Sequence, residues 1–193
     1  RHAVFLNRMG FEVLGLDLSE ESISQNKIFE NDTLKFKVHD MREAIYPKIS
    51  KQKVDAVCNL FTSFGYFESD VEDKKIFRSV ADALVDNGFF ILDFLNEQWV
   101  KNTLVPKAIT TKGDIEFHIS KRIEDQHVIK DINFKDQGEA FHFFEKVKLH
   151  TLEEIGSYAE EFGFERVKIY GDYHLGAFDR DTSPRCINVF RKL

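Results

Sequence analysis

The chain has 193 residues, of which 42% are hydrophobic and 31% are charged, the balance of an ordinary soluble globular protein. Its formal net charge of -6 at pH 7 argues against a dominant nucleic-acid surface, because such surfaces are basic. No apolar run approaches the roughly 20 residues that cross a bilayer, so no membrane partner is expected. Cys58 and Cys186 cannot form a disulfide framework, and we expect two buried thiols in a cytoplasmic protein.

Short apolar runs alternate with segments of helical spacing through the first half of the chain. The predicted strands are residues 12–17, 34–38, 54–59 and 88–94. The predicted helices are residues 2–9, 20–31 and 71–85. Strands and helices that alternate at this spacing predict a parallel sheet with helices on both faces, which binds its ligands beyond the carboxyl ends of the strands. With 20 phenylalanines in the chain, we expect a core built on phenylalanine.

Residues 107–150 follow a different pattern, in which polar and apolar residues alternate and no helix of any length fits. This pattern predicts an antiparallel β-meander inserted into the α/β domain. We therefore expect two domains. The first comprises residues 1–106 and 151–193, and the second comprises residues 107–150.

The last part of the chain returns to helix and strand signals. Thr151 and Glu154 have the spacing of a capping box, which predicts a helix that ends at Phe162. Residues 164–170 and 185–190 have strand character, and no helix lies between them. They are therefore expected to pair antiparallel as a terminal hairpin.

The segment from Gly10 to Ser19, with Asp17 at its strand end, and the terminal hairpin resemble the class I S-adenosylmethionine-dependent methyltransferases, in a small bacterial form with a β insertion. That family has a doubly wound, Rossmann-like sheet of seven strands, and six of them are recognisable here. The first strand and its glycine-rich turn are absent from this sequence, and residues 1–3 resemble the segment that comes directly after that turn. If these residues fold alone, we expect weak or no cofactor binding, because half of the cofactor cradle would be missing.

The resemblance implies S-adenosyl-L-methionine as the cofactor. The residues that it places at the cofactor are Asp17, Leu18, Asp40, Met41, Asn59, Leu60 and Phe61. A carboxylate at position 17 can accept hydrogen bonds from both ribose hydroxyls, and Asp40 can accept one from the adenine amino group. The same acid as Asp17 occurs in NAD-binding Rossmann proteins, and either carboxylate can instead cap a turn.

The acceptor is expected to lie after the strand of residues 54–59 and beside the hairpin loop. The residues implied for substrate binding are Ser63, Phe64, Gly65, Tyr66, Trp99 and Arg185, and Asp93 and Asn96 can line the same pocket. Alternatives remain at each position. The segment 59–67 can dock under the inserted sheet, Trp99 can anchor the insertion, and Arg185 can bridge a loop carboxylate such as Asp172.

The resemblance implies methyl transfer to a small-molecule acceptor by direct displacement. No residue stands out as a general base, and Tyr66 and His174 are weak candidates for that catalytic role. Histidine spacing predicts no metal site. Two rivals remain: an NAD-dependent Rossmann oxidoreductase, and a non-catalytic binding or dimerisation domain in which the insertion joins a homodimer.

Overall fold

The computed structural model describes residues 1–193 and contains five α-helices and ten β-strands. The helices are α1 (His2–Arg8), α2 (Glu20–Asn26), α3 (Asp70–Ala83), α4 (Glu97–Thr103) and α5 (Leu152–Glu161), with a 3-10 turn at Lys27–Phe29. The strands are β1 (Val13–Asp17), β2 (Leu34–Val38), β3 (Val54–Asn59), β4 (Leu84–Leu95), β5 (Lys107–Lys112), β6 (Ile115–Glu124), β7 (His127–Asp136), β8 (Glu139–Lys148), β9 (Phe164–Tyr170) and β10 (Arg185–Lys192). None of the helices is both long and apolar enough to span a membrane.

The strands form three hydrogen-bonded sheets. β1 pairs with β2 in parallel, and β3 pairs with β4 in parallel. β10 is antiparallel to both β4 and β9, which gives the order β3-β4-β10-β9. β5 to β8 form an antiparallel meander in chain order. The predicted α/β fold class with a terminal antiparallel hairpin and an antiparallel meander is confirmed, whereas the division into two domains stays a prediction.

Close packing explains a glycine within β1. A Cβ atom at Gly15 would lie 2.6 Å from the ring of Phe36 on β2, so no larger residue fits there without a shift of that ring. The contact belongs to a small hydrophobic cluster of Ile23, Leu34 and Phe36. This cluster holds α2 against the β1–β2 pair.

Several boundaries differ from those predicted, most of all at the end of α2 and between α3 and β4. The second helix ends at Asn26 and tightens into the 3-10 turn instead of reaching residue 31. The third helix ends at Ala83, because Leu84 is already extended (φ -84°, ψ 145°) and pairs with Val54. The following strand therefore begins at Leu84 and not at residue 88.

Helix α4 was not predicted, although a local signal for it exists. The side chain of Asn96 accepts a hydrogen bond from the backbone N–H of Gln98, and Glu97 lies in the first turn. The prediction of two buried thiols is wrong for Cys58, which is exposed, and right for Cys186. Cys58 is exposed because β3 is an edge strand of its sheet.

The main core is rich in phenylalanine, as predicted. Fourteen buried residues form one cluster between the β3-β4-β10-β9 sheet and helices α3 and α5. Phe64 is fully buried and meets Phe77 and Phe94 edge to face, with ring centroids 5.8 and 5.4 Å apart. Each such ring contributes about 1.5–3 kcal/mol through burial alone.

A polar contact lies inside this core. Nε2 of His150 is 3.0 Å from Oδ2 of Asp73, and both side chains are 0% exposed. The approach is poorly aligned, and neither side chain has a hydrogen-bond partner. The imidazole instead packs against the rings of Phe64 and Tyr158, with centroids 4.8 and 5.7 Å apart. The contact connects the end of the meander to α3.

This buried contact leads to a stability prediction. In His150→Phe the ring still fills its site, but the Asp73 carboxyl loses its only polar contact, so the free energy of unfolding should fall by about 2 kcal/mol or more. Adding Asp73→Leu removes the orphaned carboxyl and should recover most of that loss. Urea unfolding of the single and double variants measures both effects. A single variant as stable as the unmodified protein would contradict the prediction.

Candidate active site

The ends of β1 and β2 bring two predicted carboxylates to neighbouring positions. Asp17 is the last residue of β1, and its carbonyl accepts a hydrogen bond from the backbone N–H of His39 at 2.9 Å, one residue before Asp40. Oδ1 of Asp17 accepts from the backbone N–H of Ser19 at 2.8 Å. Oδ2 of Asp17 makes no hydrogen bond within the chain, and the side chain is exposed. Asp17 therefore both caps its turn and keeps one oxygen free for a ligand.

Asp40 is engaged more fully than Asp17. Its carboxylate accepts from the backbone N–H of Arg42 at 2.9 Å and from the Arg42 side chain, whose Nη2 lies 2.6 Å from Oδ2. These hydrogen bonds from Arg42 hold the pKa of Asp40 below its usual range. Nη1 of Arg42 also pairs with Glu72 at 2.6 Å, and the guanidinium lies 4.5 Å from the centre of the Phe67 ring. A ligand at Asp40 would have to share it with Arg42.

Met41 connects the ends of β2 and β3. Nδ2 of Asn59, the last residue of β3, lies 3.5 Å from Sδ of Met41. Oδ1 of Asn59 is buried and has no hydrogen-bond partner. An unpartnered buried oxygen is unfavourable, so this amide is suited to accept a hydrogen bond from a bound molecule.

The residues after β3 form a left-handed turn. Phe61 and Thr62 have φ values of 58° and 60°, a region that few residues other than glycine adopt. The backbone N–H of Phe61 donates to Oδ2 of Asp93 at 2.9 Å, and that of Thr62 donates to the Asp93 carbonyl at 3.2 Å. The Phe61 ring is about half exposed and packs against His2 and Tyr173, with centroids 4.7 and 5.7 Å apart.

Arg185 pairs with Asp93 and not with the loop carboxylate of Asp172. Its Nε and Nη2 lie 2.8 and 2.6 Å from Oδ1 of Asp93, and Nη2 also donates to the Thr62 hydroxyl at 2.9 Å. Asp172 instead caps its own loop by accepting from the backbone N–H groups of His174 and Gly176. Nη1 of Arg185 has no partner in the chain, so a substrate contact there stays a prediction.

One residue that was predicted to bind substrate is buried in the core. Phe64 is fully buried among core rings, so in this structure it packs and does not line a pocket. Gly65, with φ 88°, instead accepts a hydrogen bond at its carbonyl from the backbone N–H of Lys148 at 2.8 Å. A Cβ at Gly65 would lie 3.1 Å from the Lys148 carbonyl, so this contact with β8 favours glycine. The segment after β3 therefore docks on the meander as well as facing the site.

The other predicted residues differ in how far they are exposed. Leu18, Ser63 and Tyr66 are exposed, whereas Leu60 and Trp99 are half-buried. Partial burial and the nearby Glu145 raise the pKa of Tyr66, so its phenol remains protonated at neutral pH and can donate but not remove a proton. The role of Asp93 as a buried partner of Arg185 was missed. The available signal was the one acid, Asp93, within the otherwise apolar run of residues 88–94.

Comparisons with known proteins agree on one fold. No protein-family model matches the chain. Among curated proteins, "Putative methyltransferase YqeM" of Bacillus subtilis (strain 168) is 25% identical over 191 residues, which cover 94% of this chain and 74% of that protein.

Solved structures of methyltransferases also resemble the structure of this chain. An S-adenosylmethionine-dependent methyltransferase from Clostridium acetobutylicum ATCC 824 superposes with a TM-score of 0.78 at 17% identity, over 93% of this chain and 74% of its own. The CcbJ methyltransferase from Streptomyces caelestis gives 0.79 at 16% identity, over 97% and 77%. CalS10 of Micromonospora echinaspora, an amino pentose methyltransferase solved with its cofactor, gives 0.73 at 15% identity, over 98% and 77%.

The ion pair at Asp40 leads to a pH prediction. Because the folded-state pKa of Asp40 is lowered below 3.8, its contribution to stability is present above that pH and is lost as the pH falls through the folded-state value. Arg42→Gln should raise the pKa of Asp40 toward 3.8 and lower the stability at pH 7 more than at pH 3. Carboxyl NMR titration and urea unfolding at both pH values test this. Lys35→Gln, on β2 but outside any ion pair, is the control, and an unchanged Asp40 titration in Arg42→Gln would refute the prediction.

Proposed function

The chain has the fold of the class I S-adenosylmethionine-dependent methyltransferases, and on that premise we propose that it transfers a methyl group from S-adenosyl-L-methionine to a small-molecule acceptor by direct displacement. The observation that carries the proposal is the position of Asp17 and Asp40. They follow adjacent parallel strands, β1 and β2, at the edge where such sheets bind their ligands.

The chemistry of the residues at this edge fits the cofactor. Oδ2 of Asp17 is free to accept from ribose hydroxyls, and the buried oxygen of Asn59 is free to accept from an ammonium group. Met41 lies beside Asn59 and offers an apolar, polarizable surface to an adenine ring. Asp40 accepts from adenine only by sharing its oxygens with Arg42. The partly exposed ring of Phe61, two residues after Asn59, offers a further apolar surface.

The mechanism that we propose depends on alignment. Bound S-adenosylmethionine supplies an activated sulfonium methyl group. The chain has to hold the acceptor in line with that methyl, and orientation of this kind supplies up to roughly 7–11 kcal/mol in well-oriented systems. The rings of Phe61 and Tyr173 pack together, with centroids 5.7 Å apart, and offer an apolar surface to a bound molecule. The hydroxyl of Tyr66 can orient an acceptor by donating a hydrogen bond to it.

Two observations support a small-molecule acceptor. CalS10 is an amino pentose methyltransferase and KedS8 is a sugar N-methyltransferase, and both superpose on more than nine-tenths of this chain. We also propose that residues 107–150 form a separate domain that borders the acceptor side, since Lys148 at its end bonds to Gly65. A homodimer through this meander stays a prediction.

The alternative function, an NAD-dependent oxidoreductase, predicts that the protein binds a different cofactor. Calorimetric titration of the natural protein with S-adenosylhomocysteine and with NAD should give binding to the first only. Incubation with S-adenosylmethionine and a panel of amino sugars and other small amines should then release S-adenosylhomocysteine, detected by mass spectrometry. Binding of NAD without S-adenosylhomocysteine would refute the proposal. Binding without turnover on any acceptor would favour the non-catalytic domain.

The cofactor contact at Asp17 is tested by a variant that keeps the shape of the side chain. Asp17→Asn should weaken S-adenosylhomocysteine binding by about 10- to 100-fold, because it replaces charge-assisted hydrogen bonds to ribose with weaker ones. Asp32→Asn is the matched control. Asp32 is an exposed acid that precedes the start of β2, whereas Asp40 follows the end of that strand. Equal affinities of Asp17→Asn and the unmodified protein would show that Asp17 only caps its turn.

A further inference from the structure

We propose that Asp93 is a positioning residue, which fixes the left-handed turn at Phe61 and Thr62 and thereby sets the shape of the site between cofactor and acceptor. This inference rests on the proposed function, because it assigns a role within the same site. Nothing in the sequence pattern or in the likeness to known methyltransferases assigns that role to Asp93.

Asp93 does not face a ligand directly. It is 1% exposed, and both of its carboxylate oxygens accept hydrogen bonds from other groups of the chain. Oδ1 accepts from Nε and Nη2 of Arg185, and Oδ2 accepts from the backbone N–H of Phe61 at 2.9 Å and from the hydroxyl of Tyr173 at 3.0 Å. With both oxygens engaged and almost no exposed surface, the carboxylate can act only through the groups that it holds.

The turn that it holds is one that the chain would not adopt unaided. Two consecutive residues with side chains, Phe61 and Thr62, occupy the left-handed region, and such residues persist there only where their surroundings impose it. Asp93 contacts both. Its side chain accepts from the Phe61 amide and its carbonyl accepts from the Thr62 amide at 3.2 Å. One residue on β4 thus fixes both strained positions.

Arg185 and Tyr173 complete this arrangement from the other side. Nη2 of Arg185 bridges Asp93 and the Thr62 hydroxyl, at 2.6 and 2.9 Å. The Tyr173 ring lies 5.7 Å from the Phe61 ring, and the Arg185 guanidinium lies 5.7 Å from the Tyr173 ring. Each group that hydrogen-bonds to Asp93 therefore either belongs to the turn at Phe61 and Thr62 or contacts one of these two residues.

The plainer alternative is that Asp93 and Arg185 form an ion pair that only joins β4 to β10. That role would affect global stability but would leave the Phe61 turn as it is. The two roles predict that substitution of the carboxylate increases local backbone opening at different places. Amide hydrogen exchange measures this opening residue by residue.

The test is Asp93→Asn in the natural protein, compared with Asp86→Asn, which alters an exposed acid on the same strand. An asparagine oxygen cannot serve all four donors, so exchange at the Phe61 amide should quicken at least about 10-fold while amides in β10 stay protected. Affinity for S-adenosylhomocysteine should fall about 10-fold, with Asp86→Asn unchanged in both measurements. Unchanged exchange at Phe61 would overturn the proposal.

A second substitution separates positioning from direct action. Adding Thr62→Gly to Asp93→Asn removes the cost of the left-handed conformation at that position, so part of the lost affinity should return. No recovery would overturn the positioning role. If Asp93→Asn does not fold, Tyr173→Phe removes one hydrogen bond and keeps the ring, and a smaller rise in Phe61 exchange is expected, with no rise counting against the proposal. Absence of S-adenosylhomocysteine binding in the natural protein without substitutions would refute the proposed function, while the exchange data would still decide the role of Asp93.

Discussion

A carboxylate removed from water needs donors for both of its oxygens, and at Asp93 that requirement brings distant parts of the chain together. Phe61 lies 32 residues before it, and Tyr173 and Arg185 lie 80 and 92 residues after it. The turn after β3, the start of the hairpin loop and the start of β10 therefore meet at Asp93 on β4. The candidate site is organised around this buried charge, although the charge itself is hidden from any ligand.

Features with a local signal could be predicted from the sequence. Residues 34–38 and 54–59 coincide with β2 and β3, because apolar and polar residues alternate in the first segment and the second is a short segment rich in apolar residues. The helix start at Thr151 was predicted because both halves of a capping box lie within four residues, and both hydrogen bonds are present. The order of such elements also predicted the parallel pairs and the terminal hairpin.

Features that depend on long-range register could not be predicted. Arg185 pairs with Asp93 and not with Asp172 because β10 lies antiparallel on β4, with Ile187 opposite Asp93. No spacing in the sequence specifies that register. Phe64 was assigned to a pocket because it lies among residues that face one. Its burial depends on Phe77 and Phe94, which come from other elements.

The two hydrophobic clusters differ greatly in size, with fourteen buried residues in one and three in the other. A unit with so few buried side chains opens by local fluctuation at a lower free energy than its neighbour. Asp17 stands on the smaller unit and Asp93 on the larger, whereas Asp40 is joined to the larger one through Arg42 and Glu72 of α3. A molecule that contacts both units would bind between one rigid surface and one flexible surface. Part of its binding free energy would be offset by the entropy lost when the flexible unit becomes ordered. Affinity should then depend on how tightly the Phe36 ring packs over Gly15 as well as on direct contacts.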